Sequence, residues 1–135
     1  VRNMKNQSWG RVINVSSISV KEPLNNLVLS NSLRGALVAW AKSLSIDMAE
    51  FNITINNILT GFFDTERLNQ LSAAKAKQQK KTISNINNEI KSMIPMKRFG
   101  KVEEYANLVC FLASEQSAYI TGTNIPIDGG VLRSF

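Results

Sequence analysis

The sequence predicts an α/β fold built on a parallel sheet, and three observations carry that expectation. Two short β-branched runs, RVINVS at 11–16 and ITINNIL at 53–59, flank a long stretch with helical periodicity. Strand, helix and strand in that order form the βαβ unit of a parallel pair, with a right-handed crossover expected. A further helical stripe and a β-prone run around Asn124–Asp128 extend the alternation through the rest of the sequence. With 135 residues and 44% apolar content, the chain has the material for one buried core, as in an ordinary globular domain.

Taken in order, VRNMKNQSWG is a polar lead-in to the first strand. The start at Val1, without a methionine, is expected to lie mid-fold. RVINVS, between Gly10 and the serine-rich 16–19, reads as a strand buried on both faces and so central in the sheet. Leu33, Ala36, Leu37, Trp40, Ala41, Leu44 and Met48 recur at three- and four-residue spacing, one apolar stripe of a long helix that Ser30 or Asn31 would cap. ITINNIL ends at Thr60-Gly61. Residues 65–94 are helix-prone but polar, with a weak stripe of Ile83, Ile86, Ile90 and Met93, and read as an insertion over a site. Pro95 and Gly100 punctuate the chain before a helix marked by Val102, Tyr105, Ala106, Val109, Cys110 and Ala113. Glu103 and Glu104 suit its positive N-terminal end. Pro126 cannot donate to a ladder, which puts the last strand at a sheet edge or beside a bulge.

Composition excludes several classes. Cys110, alone in the apolar run LVCFLA, reads as a buried small hydrophobe, and a single cysteine leaves no internal disulfide, which fits a reducing, cytoplasmic setting. No apolar stretch approaches the roughly eighteen residues of a membrane span, and no signal-peptide core precedes the first strand. The net charge of +6 draws on Lys75, Lys77, Lys80 and Lys81, which crowd a glutamine-rich stretch without aromatics. That pattern reads as a solvated helix face or lid, so neither nucleic acid nor membrane is an expected partner, whereas a dinucleotide suits a basic balance. No metal site is expected.

Chemistry is expected at the strand ends. Ser17 follows the first strand, where open α/β sheets place ligand-binding residues, although a serine there also serves as a turn or cap, and Ser16 and Ser19 compete for the role. At Gly61 the absent side chain would let backbone approach a flat ring, or simply make a β-turn. No glycine-rich turn after an early strand offers a pyrophosphate site; the chain has seven glycines in all.

The segments GRVINVSSIS at 10–19, SNSLRGALVAWAKSLSIDMAE at 30–50, ITINNILTGFFDT at 53–65 and IPMKRFGKVEEYANLVCFLASEQSAYITGTNIPIDGG at 94–130 together resemble the second half of a short-chain dehydrogenase/reductase. The resemblance implies the C-terminal half of a Rossmann-type doubly wound parallel sheet with flanking helices. Residues 1–135 would then be a partial single domain lacking the glycine-rich N-terminal half, with 62–94 as substrate loop or lid. The family uses a serine, a tyrosine and a lysine; here Ser17 keeps the first place, while Ser30 and Arg34 stand in the other two, which marks a divergent member.

A phenol near pKa about 10 is tuned towards neutrality by a cation, whereas an aliphatic hydroxyl is a far weaker acid, and the sequence has no histidine as a base. Neither Tyr105 nor Tyr119 restores the motif, and both are expected in the core or at an interface. The resemblance gives Ser17 the substrate oxygen, Ser30 the usual acid's place, and Arg34 the cofactor ribose or developing charge. Thr60, Gly61, Phe63 and Thr65 fall on the segment that binds the nicotinamide carboxamide, with Thr60 in place of a proline.

NAD or NADP is implied as cofactor, a carbonyl or alcohol as substrate in the manner of a 3-oxoacyl reductase, and a homo-oligomer, dimer or tetramer, as assembly. Asp128-Gly129-Gly130 matches a structural C-terminal signature near the subunit interface, and Val131, Leu132 and Phe135 would extend an apolar patch. The chain by itself is expected to be inactive. The alternative is a non-catalytic protein of the same fold acting in assembly or ligand sensing.

Overall fold

In a computed structural model that describes residues 1–134, helix α1 (Arg2–Gln7) leads into strand β1 (Gly10–Ser17). Helix α2 (Val28–Met48), strand β2 (Ile53–Thr60), helices α3 (Glu66–Gln79), α4 (Ile83–Met93) and α5 (Val102–Ala113), and strand β3 (Asn124–Ile127) follow. The three strands form one parallel sheet in the order β1-β2-β3. Phe135, expected to extend an apolar patch, lies outside the described residues. Among those residues no helix is long and apolar enough to cross a membrane.

β2 is the central strand, and Ile53, Ile55, Ile58 and Leu59 on it are wholly buried. It pairs with β1 from Gly10↔Ile53 to Ser17↔Thr60, and with β3 from Asn57↔Asn124 to Thr60↔Ile127. Two asparagines in β2 are buried as well, and both are satisfied. Asn57 accepts from the Asn14 side-chain amide at 2.9 Å and donates to the Asn124 side-chain carbonyl at 2.8 Å, which makes an amide chain across all three strands. Asn56 donates to the Ile120 carbonyl at 2.7 Å and accepts from the backbone and hydroxyl of Thr123 at 3.2 and 2.8 Å, which fastens the loop before β3. An orphaned amide in such a place would cost about 1–3 kcal/mol.

Burial on both faces, expected of the first strand, belongs instead to β2. β1 has β2 as its one partner among the described residues, and Val15 on it is 62% exposed. The polar lead-in is also helical: α1 has no apolar periodicity to announce it, and Met4 alone packs towards the core. Arg11 fixes the entry to β1, donating to the carbonyls of Gly10 at 2.9 Å, Asn52 at 3.2 Å and Ser114 at 3.3 Å. Trp9 and Arg11 both reach the Glu115 carboxylate. At the other edge Pro126 sits in β3, where its missing N–H is tolerated.

α2 buries Ala41, Ser45 and Met48 against Val12, Ile53 and Ile55, with Leu44 and Phe51 beside them. The expected stripe is therefore split: Leu33 and Trp40 face outward with Leu29 and Ile46. α2 is rich in apolar residues on more than one face, so the spacing alone did not select the inner one. The helix starts at Val28, ahead of the expected caps, with no side-chain cap. Ser30 lies in its first turn and Asn31 donates to the Leu24 carbonyl at 2.9 Å.

α3 and α4 are capped by Thr65 and Thr82, which accept from Leu68 and Asn85 backbone N–H groups. Ala76, Ile86, Ile90 and Ile94 make a second core, with Phe62, Leu68, Phe99 and Val131 against it. Ile83 and Met93 remain exposed. The lysines at 75, 77, 80 and 81 are all exposed, and Lys81 pairs with Glu89 at 2.6 Å.

α5 turns Tyr105, Leu108, Val109 and Leu112 inward, and Cys110, expected in the core, is exposed. VEEYANLVCFLA is apolar on nearly every side after its first turn, so two stripes were available and packing against β1 chose between them. Tyr119, expected in the core or at an interface, is fully exposed in this chain. Before the helix, the Arg98 guanidinium grips Glu104 through two nitrogens at 2.6 and 2.8 Å, while Glu104 also accepts the Lys101 N–H at 2.7 Å.

Arg98, first, and the Lys101 N–H hold the Glu104 carboxyl down to about 2, from an ordinary 4.5. A depressed folded-state pKa stabilises above the unfolded value, so this contribution is full above pH 4.5 and fades as the pH falls towards 2. Glu104→Gln should lower the unfolding midpoint at pH 7 by at most a few degrees, as befits an exposed pair. Thermal scans should show the gap to the parent closing between pH 4.5 and 2. Asn57→Ala should cost about 1–3 kcal/mol by orphaning the half-buried Asn14 amide, read as a lower urea midpoint with unchanged slope.

Candidate functional site

All three strands run the same way, so their carboxyl ends open on one rim, the place where sheets of this kind receive ligands. Register fixes who stands there. Ser17 pairs with Thr60 and Thr60 with Ile127, which puts Ser17, Thr60-Gly61 and Asp128 side by side along one rung and its exit.

Ser17 is half-buried, and its Oγ accepts the Ser19 N–H at 3.1 Å, capping a 3₁₀ turn over Ile18–Val20. Its competitors are less available: Ser16 and Ser19 are 2% and 3% exposed, and Ser16 Oγ has no partner among the described residues. The turn after Ser17 packs on α2, which carries the next two candidates. Ser30 and Arg34, one helical turn apart, meet directly, with Arg34 Nε donating to Ser30 Oγ at 3.3 Å. Both are half-buried and line an open groove with Leu29, Leu33 and Leu37. Neither is hydrogen-bonded to Ser17 among the described residues.

The segment from Thr60 to Thr65 is clamped on two sides. Gly61 donates to the Ile127 carbonyl at 3.0 Å, and a Cβ there would come within 2.6 Å of Asp128 Cα. Glycine is thus demanded by the close passage of the chain at Asp128, a packing reason beside the two that the sequence offered, approach to a flat ring or a β-turn. On the other side Gly100 donates to the Phe62 carbonyl and accepts from the Asp64 N–H, both at 2.9 Å. Phe63 is buried on Gly100, where a Cβ would strike its ring at 2.6 Å. The Thr65 hydroxyl is engaged as the cap of α3 and also reaches the Phe63 carbonyl at 3.4 Å.

Three further side chains brace the site. Tyr105 places its hydroxyl 3.2 Å from Thr60 Oγ1 and its ring edge-on to Phe63, centroids 5.2 Å apart at 88°. Asp128 accepts the Gly130 and Leu132 N–H groups at 2.9 and 2.8 Å, which shapes the turn after β3. Glu22, between Ser17 and Ser30 in sequence, accepts the Arg133 and Ser134 N–H groups at 2.8 and 2.9 Å. Those two backbone donors hold its carboxyl below the usual range. The Tyr105 and Glu22 contacts cross long sequence separations, for which local spacing carries no signal, whereas the Asp128 bonds are local. A cavity of about 370 Å³ opens beside this clamp, lined by Phe62, Phe63, Arg98, Ile127 and Gly129 among others. Ser17, Ser30 and Arg34 do not line it; it opens on the β3 side of the rim, at Ile127 and Asp128.

Comparison with known proteins agrees with this architecture. A family model described as enoyl-(acyl carrier protein) reductase matches residues 1–132. The NADPH-dependent reductase BacG of Bacillus subtilis (strain 168) is 40% identical over 131 residues, which cover 97% of this chain and 51% of that protein. The 3-oxoacyl-[acyl-carrier-protein] reductase FabG of Aquifex aeolicus (strain VF5) is 34% identical over 131 residues, 97% of this chain and 48% of the relative. A crystal structure of YwfH, an NADPH dependent reductase involved in bacilysin biosynthesis, superposes with a TM-score of 0.92 at 40% identity, covering 98% of this chain and 50% of that one. The chain spans about half the length of the curated relatives it matches. On a match of that extent and a parallel sheet of this topology, the chain belongs to the short-chain dehydrogenase/reductase family.

Proposed function

We propose that the protein containing this chain is an oxidoreductase of the short-chain type, moving hydride between a nicotinamide dinucleotide and a carbonyl or alcohol, with 3-oxoacyl compounds as the substrate class to test first. The observation that carries this reading is the rung on which Ser17, Thr60 and Ile127 share the carboxyl rim of a parallel sheet. Relatives at 34% and 40% identity that bear reductase names support it. The name of the latter favours NADPH over NADH.

The donor set suits the nicotinamide end of such a cofactor. Arg34 spends only Nε on Ser30 among the described residues, which leaves its terminal nitrogens for ribose hydroxyls or for charge developing on an oxygen. Thr60, Gly61, Phe63 and Thr65 present a clamped backbone to the carboxamide, and the Thr65 hydroxyl adds to it while capping α3. When bound, the dinucleotide supplies the hydride. Ser17 donates its hydroxyl to the substrate oxygen and orients the carbonyl. Ser30 occupies the acid's place, and because an aliphatic hydroxyl is too weak to give up its own proton, the proton arrives through water held at Ser30.

In this reading residues 62–94 cover the substrate, the glycine-rich half that receives the pyrophosphate lies outside this sequence, and the isolated chain is inactive. The exposed apolar face of α2 (Leu29, Leu33, Trp40) serves a homo-oligomer. The protein works in the cytoplasm, where the exposed thiol of Cys110 stays reduced.

A second reading, a non-catalytic protein of this fold acting in assembly or ligand sensing, draws on two observations. No phenol stands near Ser30 among the hydrogen-bonded groups, and the Ser17 and Thr65 oxygens already serve backbone N–H groups. Titration of the full-length protein with NADPH and NADH, followed by nicotinamide fluorescence, separates the two. Micromolar binding of either supports the reductase, and binding of neither favours the second reading. With binding in hand, Ser17→Ala should lower kcat on a carbonyl panel by about a hundredfold or more while leaving the NADPH Kd within about twofold. If Ser30→Tyr combined with Arg34→Lys raises activity from nothing, the native site lacks its acid; unchanged or reduced turnover means that the serine and arginine relay works.

A further inference from the structure

Thr60 ends β2 on the same rung as Ser17, and the four residues after it depart from the sheet without ladder partners of their own beyond Ile127 and Gly100. Tyr105 touches this departing segment at both ends. Its hydroxyl lies 3.2 Å from Thr60 Oγ1, and its ring stands edge-on to Phe63, with Gly61 and Phe62 held between the two contacts. Tyr105 itself is well anchored: it is on the inward face of α5, next to Glu104, whose carboxylate is gripped by Arg98 and by the Lys101 N–H. Phe63 is in turn wedged against Gly100, which leaves its ring no room to slide.

The contact has the marks of a device for position more than for bulk stability. Thr60 is half-buried, so its hydroxyl could be served by water without the phenol, yet a side chain distant in sequence is brought to it. A strand end that must present backbone to a ligand gains from having its last residue and its first buried ring held by one rigid side chain, because a site misplaced by an ångström loses much of its effect. We infer that Tyr105 is a positioning residue: acting through Thr60 and Phe63, it sets the place of the Gly61–Thr65 backbone against the nicotinamide end of the dinucleotide. This inference rests on the proposed reductase function.

The test uses the full-length protein and two probes, NADPH and 2′-phospho-ADP-ribose, which keeps the adenine end and lacks the nicotinamide. Tyr105→Phe removes only the hydroxyl, and Thr60→Val removes the same hydrogen bond from the other side while keeping shape. Each should weaken NADPH roughly three- to tenfold, the worth of one net hydrogen bond, and leave 2′-phospho-ADP-ribose within about twofold. The double variant should be no worse than either alone, since both remove one interaction. Loss of affinity for both probes together would mean a merely structural role, and unchanged NADPH binding in both variants would overturn the inference while leaving the reductase reading intact. If the parent binds neither probe, the reductase reading fails first and this one with it.

Discussion

Asn57 sits in the middle of the sheet with its amide shared between Asn14 and Asn124, and the placement of everything at the rim depends on that shared pairing. A shift of one residue would turn every side chain of a strand to the opposite face, and the amides add to that penalty because it leaves buried polar groups without partners. With Asn14, Asn57 and Asn124 aligned, Ser17, Thr60 and Ile127 are aligned three residues later. A polar chain in the interior thus fixes a geometry that is used at the exit.

From that rung outward the structure is held by clamps of different chemistry. β3 presses on Gly61 so closely that no side chain fits, Gly100 brackets Phe62 and Asp64 through the backbone, and Tyr105 adds a hydroxyl and a ring. The helical pair α3 and α4 hangs from the same segment, because Thr65 both ends the clamp and caps α3, while Phe62 enters the core formed by Ala76, Ile86, Ile90 and Ile94. The polar, lysine-studded pair α3 and α4 is therefore joined to the rim at its base and solvated along its outer face.

The alternation of strands and helices was legible because β2 is rich in β-branched residues and α2 is long and periodic; both signals are local. Ser17 was legible for the same reason, as the residue at a strand end. What failed were questions decided by neighbours. Both VEEYANLVCFLA and the α2 sequence offer more than one apolar face, so the inward sides of the helices, and with them the exposure of Cys110, waited on packing. The centrality of a strand depends on how many partners it has, and β1, which looked central, has one among the described residues. Ser30 and Arg34 meet one turn apart on α2, but their distance from Ser17 in hydrogen-bonding terms is a matter of how the helix approaches the sheet. The ties from Tyr105 and Glu22 join residues too far apart in sequence for any spacing rule to find.

Glu22 spans the largest such gap, 111 residues to Arg133 and 112 to Ser134. Closing a loop of that length returns only two hydrogen bonds to an exposed carboxylate, so the contact cannot nucleate assembly and forms once the sheet has already brought its ends together. By the same reasoning it is among the first contacts to open. The connection between Ser17 and Ser30 is thus the late-forming, early-yielding part of the rim, set beside a β2 that forms its core and yields last.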